Sequence, residues 1–271
     1  MNVELHESNR IVVTEHPVHD EFEDNVRYLA KEGWELGGRL RPMPANKLRD
    51  SLKQYVAQIG VQSGGHQHIA HALEGVFLSA ACQRAIAEER PHSPDDESVR
   101  SILLSYVVIS QQSLARALLS LPFTARMRLW RGATINQRMF WGMAGAYGVA
   151  TVARELSTSV DVYLASMVMD RSWGTDLICP VTKREGYCVQ VKCGNQTRVD
   201  LAVSSGSDTF QTMRLLRTSA YHLNRATSHR GSTRAWRPAL VTVKMAGLPT
   251  REGIVNSVEL NKLVEAVKNF S

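Results

Sequence analysis

The sequence has few cysteines and no long hydrophobic run, and each absence narrows the classes of function. Its four cysteines, at positions 82, 179, 188 and 193, form no C-x-x-C pair. Three of them lie in or beside predicted strands, where cysteine packs as a small hydrophobe, so we expect structural thiols rather than zinc ligands. No run of about 18 apolar residues occurs, so we expect no contact with a membrane. The N-terminal MNVELHESNR lacks the features of a secretory signal, which predicts a cytoplasmic protein.

Positive charge is concentrated in one region of the chain. From Lys183 to Arg251 there are twelve Lys and Arg residues and three acidic residues, a net charge of +9, whereas the whole chain carries +6. The remainder therefore sums to −3. A basic region suggests a polyanionic partner, most often nucleic acid, although many basic faces are simply solvated.

Residues 1–130 are predicted to form an all-helical accessory domain. Apolar residues recur with the helical period of 3.6 in four segments, and a short strand is expected before them at Arg10–Glu15. Nothing in this half points to chemistry, so we expect it to serve target recognition, homodimerisation or contact with a protein partner. Pro122 ends its last helix. The four segments are Phe22–Lys31, Ala45–Ile59, His68–Glu88 and Asp95–Leu119.

Residues 131–271 are predicted to form an α/β domain. A helix rich in small residues is followed by a change of hydrophobic period from 3.6 to 2, which indicates strands. The order of elements is helix, three strands, helix, strand, helix, and it is typical of a sheet with helices packed on its faces. In chain order these elements are Gln137–Leu156, Val160–Asp170, Gly174–Cys179, Tyr187–Cys193, Asp208–Thr227, Ala239–Ala246 and Leu260–Phe270.

Three polar side chains are expected to meet at one end of this sheet. Alternate residues of a strand share a face, so Gln190 and Lys192 point to one side while Val189 and Val191 point into the core. Asp176 lies on the preceding strand, and the intervening segment is short enough for an antiparallel hairpin. An aspartate, a carboxamide and a lysine could therefore converge.

This set suits metal-dependent hydrolysis of a phosphodiester. Mg²⁺ takes oxygen ligands, which Asp176, a main-chain or carboxamide oxygen and one further carboxylate would supply. Glu155, in the last turn of the helix before the first strand, is a candidate for that carboxylate. A lysine beside the ion, such as Lys192, can orient or deprotonate an attacking water and offset charge on the phosphorane.

These residues carry a resemblance to a known family. Glu155, Asp176 in "GTDLI", and Gln190 with Lys192 in "CVQVKC" resemble the PD-(D/E)xK nuclease superfamily, whose restriction-endonuclease-like core is a helix, three strands, a helix and a strand. The Q-x-K variant is similar to Mrr-like restriction endonucleases and to the endonuclease subunits of some transposons. The resemblance covers about Gln137–Ala246.

The resemblance implies a role for each residue. Asp176 would be the main ligand of Mg²⁺, or of Mn²⁺ as its substitute, with Glu155 as a further ligand and the main-chain oxygen of Val191 completing the coordination. Lys192 would activate the water. Gln190 stands where an acid is usual, and no proline precedes Asp176; because the amide is neutral, we expect weaker metal binding or a single ion.

The sequence leaves three hypotheses open. The first is a Mg²⁺-dependent endodeoxyribonuclease acting in restriction, phage defence or a mobile element. The second is a catalytically decayed nuclease-fold module that binds nucleic acid or a protein partner, since Gln190 could mark a decayed site. The third is a helical interaction protein whose α/β half is a scaffold. Under the first two, Arg214, Arg217 and Arg225, on one side of the amphipathic helix, would contact DNA phosphates rather than form a solvated face.

Overall fold

The computed structural model describes the part of the chain that contains the sheet. The residues described are 5, 7–13, 50, 54, 94–122, 124–126, 137–194, 198–201, 209–228, 234–244 and 265. By its internal contacts the chain divides into two units, one of residues 14–147 and one of residues 1–13 with 148–271. The boundary predicted near residue 130 stays a prediction, because residues 127–136 are outside the described part.

Several predicted helices lie wholly or largely outside these residues. Phe22–Lys31 and His68–Glu88 contain no described residue. Single helical residues are described within two others, namely Asp50 and Gln54 in Ala45–Ile59 and Glu265 in Leu260–Phe270.

In the first unit, α1 is a 27-residue helix over Pro94–Ser120, which confirms the predicted helix Asp95–Leu119. Proline suits the first turn of a helix, because the N–H group that it lacks would have no partner within the helix there and because its φ is already helical. Leu114 and Leu118 are fully buried. The helix ends before Pro122, as predicted.

The second unit contains a mixed sheet of five strands. In chain order they are β1 Tyr163–Leu164, β2 Leu177–Pro180, β3 Glu185–Gly194, β4 Arg198–Asp200 and β5 Ala235–Lys244. Their order across the sheet is β1-β2-β3-β5-β4. β1, β2 and β3 form an antiparallel series, β5 is parallel to β3, and β4 is antiparallel to β5. Three of the predicted strands are thus confirmed as β2, β3 and β5, and β4 is an unpredicted addition.

The predicted strand Val160–Asp170 is wrong in its second half. Only two of its residues form β1, and a short helix, α3, follows over Met167–Trp173. The Ser166 hydroxyl accepts from a backbone N–H of the first turn and so caps the helix, and Gly174 ends it with a left-handed φ of 64°. The alternating apolar residues suit a strand, but a serine cap and a glycine stop eight residues apart decide for a helix.

The N-terminal residues add one bridge to the sheet. Arg10 forms an isolated bridge with Tyr163 and its guanidinium pairs with Asp161 at 2.6 Å. The strand predicted at Arg10–Glu15 is therefore reduced to this bridge: residues 11–13 belong to no strand, and residues 14 and 15 lie outside the described part.

Two helices pack against opposite faces of the sheet, one at Gly148 and the other along its apolar side. α2, Gln137–Ser157, confirms the predicted small-residue helix. It packs against the face that bears Val191 and Cys193, since a methyl group on Gly148 would lie 3.3 Å from the Cys193 sulfur. α4, Thr209–Ser228, covers the other face. Its buried apolar side chains, which pack with Cys188 and Leu240 of the sheet, are Met213, Leu216, Ala220 and Leu223.

Within the described ranges, no helix combines the length and the apolar character that crossing a membrane requires.

Candidate functional site

The β2–β3 hairpin brings the predicted polar residues to one end of the sheet. The register pairs Leu177 with Val189, so Asp176 lies opposite Gln190. β3 has β2 on one side and β5 on the other, so it is a central strand. Because side chains alternate, Asp176, Gln190 and Lys192 belong to the same face, the one that α4 covers.

Three hydrogen bonds with backbone groups fix Asp176. Its N–H donates to the carbonyl of Val189 at 2.9 Å, and its carbonyl accepts from the N–H of Ala165 at 2.9 Å. Its carboxylate oxygen Oδ2 accepts from the backbone N–H of Val191 at 2.7 Å. The carboxylate therefore lies beside Val191, on the side of β3 that faces β2, and Asp176 itself immediately precedes the first residue of β2.

The Val191 carbonyl is directed to the same place. In a β-strand the N–H and C=O of one residue point toward the same neighbouring strand. Since the Val191 N–H meets the Asp176 carboxylate, its carbonyl is also directed to the Asp176 side of β3. Two oxygen-bearing groups thus share one side of this strand, which is the arrangement that the resemblance implies for a metal ligand pair.

The surroundings of Asp176 disfavour the ionised form of its carboxyl group unless a cation lies nearby. Burial raises the pKa of this carboxyl well above its ordinary value, and the negative charge of Asp170 raises it further. The Val191 N–H and the positive charge of Lys192 act in the opposite direction. The residue as a whole retains partial exposure, but the carboxyl group is enclosed enough for desolvation to be the main cause.

Asp170 is the acidic neighbour that sequence reasoning missed. It lies on α3, where its N–H donates to the Ser166 carbonyl at 3.0 Å and its carbonyl accepts from the Gly174 N–H at 2.8 Å. The chain then turns back, so Asp170 and Asp176 come close enough for their charges to interact. The serine cap and the glycine stop of α3 were the signals that could have revealed it.

Lys192 and Gln190 have different partners on the α4 side. The Lys192 ammonium Nζ donates to the hydroxyl of Thr212 at 2.8 Å. No ion pair within 4.0 Å joins Lys192 to Asp176 among the described residues, so the two charges interact at longer range. The Gln190 carboxamide packs on the turn before β2, since a methyl group on Gly174 would lie 2.9 Å from its nitrogen.

Glu155 is not brought into this group by any described contact. It is exposed on α2, and its carbonyl accepts from the Thr158 N–H at 3.3 Å at the end of the helix. α2 packs on the sheet face opposite to that of Gln190 and Lys192. The predicted role of Glu155 as a metal ligand stays a prediction.

The donor atoms fit a hard divalent cation. Among the residues that the structure describes, no three His, Cys, Asp or Glu side chains form a group that could hold a metal. The Asp176 and Asp170 carboxylates and the Val191 carbonyl are oxygen donors, which suit Mg²⁺ or Mn²⁺ better than zinc. Cys193 is close by, but burial raises the pKa of its thiol to about 12, with a smaller effect from Asp176, so the thiolate form is disfavoured.

Comparison with protein-family models, with curated proteins and with solved structures gives no match.

The basic residues of α4 lie on its outer side. Arg214, Arg217 and Arg225 are exposed, and Tyr221 between them is 59% exposed. Arg214 and Arg225 are eleven residues apart, about 16 Å along a helix. The predicted contact with DNA phosphates stays a prediction.

Proposed function

We propose that the α/β unit is a Mg²⁺-dependent endodeoxyribonuclease with a restriction-endonuclease-like core. The observation that carries the proposal is the meeting of Asp176, Gln190 and Lys192 on one face of the β2–β3 hairpin, with the Asp176 carboxylate fixed by the Val191 N–H. The order of elements adds support, because helix α2, three antiparallel strands, helix α4 and a strand parallel to β3 follow the order that the resemblance implies, with α3 and β4 as additions to it.

In this proposal the Asp176 carboxylate and the Val191 carbonyl hold the metal, and Asp170 contributes negative charge beside them. Glu155 is a further candidate ligand by resemblance. When bound, Mg²⁺ or Mn²⁺ lowers the pKa of a water molecule and stabilises negative charge on phosphate oxygens. Gln190 adds no charge to the site, so we expect metal affinity weaker than a third carboxylate would give.

Lys192 supplies the positive charge on the protein side. Its ammonium group donates to Thr212 and keeps two further N–H bonds for a water or a phosphate oxygen. There it orients the attacking water and offsets the charge that develops on the phosphate. Arg214, Arg217 and Arg225 bind the DNA backbone, and the protein acts on DNA in the cytoplasm, in restriction, phage defence or mobile-element movement.

Cleavage of supercoiled plasmid with Mg²⁺ or Mn²⁺ tests this proposal. We expect Asp176→Ala and Lys192→Ala each to lower the rate by at least about 100-fold, because each removes an electrostatic contribution to the transition state. Lys183→Ala is the matched control, since Lys183 is an exposed lysine of the β2–β3 connection. Retained activity in both site variants would refute the assignment.

A catalytically decayed DNA-binding module is the second candidate. It is favoured by the neutral Gln190 in place of an acid and by the absence of a group of three acidic, histidine or cysteine ligands among the described residues. Binding of DNA that persists in EDTA, with salt dependence but no cleavage under either metal, would support it.

A further inference from the structure

Two buried hydroxyl groups lie on the side of α4 that faces the sheet. Thr212 is 8% exposed and Ser219 is fully buried. They are seven residues apart, which is about two helical turns, so they share one face of the helix. Their neighbours on that face are apolar, among them Met213 and Leu216. A hydroxyl in such surroundings costs free energy unless it is hydrogen-bonded.

Both hydroxyls are bonded to the segments that carry the candidate site. The Thr212 oxygen accepts from the Lys192 ammonium at 2.8 Å. The Ser219 oxygen accepts from the Thr175 hydroxyl at 2.8 Å, and Thr175 immediately precedes Asp176. α4 therefore contacts Lys192 through Thr212, and it contacts the residue before Asp176 through Ser219.

The contact with Thr212 matters most for Lys192, because this residue is exposed and, within the described part of the chain, the Thr212 hydroxyl is the one hydrogen-bond partner of its ammonium group. A lysine has four rotatable bonds, and its free rotation is worth about 2 kcal/mol of rotamer entropy. A buried threonine is a stiff acceptor, since its branched Cβ restricts χ1. A hydrogen bond from a charged donor is also stronger than one between neutral groups. Thr212 can therefore hold the Lys192 ammonium in one place.

We propose that Thr212 is a positioning residue for Lys192, holding its ammonium group toward the Asp176 end of the hairpin. The proposal depends on the proposed nuclease function for its catalytic consequence, but the positioning itself does not. Thr212 touches no substrate; it acts through the lysine.

The kinetic test compares two variants of similar size. Thr212→Val keeps the shape and removes the hydroxyl, and we expect the kcat of DNA cleavage to fall by about 10- to 100-fold, as expected for a misplaced catalytic group. The KM for DNA and the Mn²⁺ affinity should stay within about twofold, because Asp176 and the basic residues are unchanged. Thr212→Ser, which restores the hydroxyl, should recover most of the rate. A valine variant with wild-type kcat, or a serine variant as slow as valine, would overturn the proposal.

A second test needs no cleavage activity. Brief acetylation followed by mass spectrometry gives the labelling rate of Lys192 relative to exposed Lys183 in the same sample. Loss of one hydrogen bond should raise this ratio by about threefold in Thr212→Val and leave it near the wild-type value in Thr212→Ser. Ser219→Ala, which loosens α4 without touching Lys192, should also leave it unchanged. An unaltered ratio in the valine variant would show that Thr212 does not hold the lysine.

The two tests separate the possible failures. If the wild-type protein cleaves no DNA with Mg²⁺ or Mn²⁺ while the labelling ratio changes as expected, the nuclease proposal fails and the positioning contact stands. If cleavage depends on Lys192 but both the kcat and the labelling ratio of Thr212→Val are unchanged, the nuclease proposal stands and the role of Thr212 is wrong.

Discussion

The two long helices that cover the sheet make different kinds of contact with it. α2 approaches the sheet at Gly148, where an added methyl group would already lie 3.3 Å from the Cys193 sulfur, so there is no room for a large side chain. α4 packs through apolar side chains, but it also directs Thr212 and Ser219 at the segments that carry Lys192 and Asp176. The contact with α2 therefore depends on a close steric fit, whereas the contact with α4 also includes hydrogen bonds that orient side chains. A site whose side chains must keep fixed directions requires such bonds.

The contact between α2 and β3 should be more sensitive to added side-chain volume than the contact between α4 and the sheet. Gly148→Leu would force a side chain between α2 and Val191, and overpacking of this kind costs about 1–3 kcal/mol or more. Since 1 kcal/mol shifts Tm by about 2–4 °C in a domain of this size, we expect the Tm to fall by about 2–12 °C. Thermal unfolding followed by circular dichroism measures it.

Gly145→Leu is the matched control on the same helix. The nearest atom to a methyl group there is the end of the flexible Gln111 side chain, at 3.5 Å, which can move aside. Equal losses of Tm in the two variants would mean that the helix as a whole, and not the contact with β3, is disturbed.

Asp170 and Glu155 are the two acidic candidates for a further ligand, and only Asp170 is described as interacting with Asp176. Glu155 is exposed on α2 with no described contact to Asp176. We therefore expect Asp170→Asn to weaken Mn²⁺ binding by about tenfold or more, the size that neighbouring charges and outer ligands have at metal sites. Glu155→Gln should weaken it by no more than about twofold. Isothermal titration with Mn²⁺ measures both affinities.

A larger loss in Glu155→Gln than in Asp170→Asn would reverse this assignment. It would mean that the helix glutamate reaches the ion when metal is bound, as the resemblance implies, and that Asp170 is a structural acid of α3.

Long periodic elements could be predicted from the sequence, and most short ones could not. The helices α1, α2 and α4 and the strands β3 and β5 are each ten residues or longer, so the pattern over the whole segment outweighs local exceptions. β2, with four residues, is a short element that was predicted as well. Val160–Asp170 contains a two-residue strand, a short connection and the first four residues of the seven-residue helix α3. Its apolar residues alternate by chance across the boundary, and only the Ser166 cap and the Gly174 stop reveal the change.

The residues of the candidate site could likewise be predicted only in part. Strand alternation alone predicts that Gln190 and Lys192 share a face, and the short hairpin brings Asp176 opposite Gln190. Which helix covers that face depends on how α2 and α4 pack, and this lies outside the reach of local patterns. For the same reason Thr212 could not be found from sequence: it is one of several hydroxyls on α4, and only the structure gives its contact with Lys192.

The smallest effect expected is a pH-dependent gain of stability when Asp176 is neutralised. The folded-state pKa of this carboxyl is raised, so its favourable contribution is fully present below the unfolded pKa of about 3.9 and is lost as pH rises through the higher folded value. In metal-free protein at neutral pH, the ionised Asp176 is then a cost that Asn lacks. Asn can still accept from the Val191 N–H, so the hydrogen bond is kept.

We therefore expect Asp176→Asn in EDTA to unfold at about the wild-type Tm near pH 4 and about 2–4 °C above it near pH 8, a difference of about 1 kcal/mol. Differential scanning fluorimetry across this pH range gives the two curves, and shared effects of other groups cancel in their difference. Lys192 lowers the cost through its positive charge and Asp170 increases it, so Asp170→Asn should shrink the gap between the curves. A gap that does not change with pH would mean that the Asp176 carboxyl is solvated in the folded protein, and the enclosed site that the metal proposal requires would be lost with it.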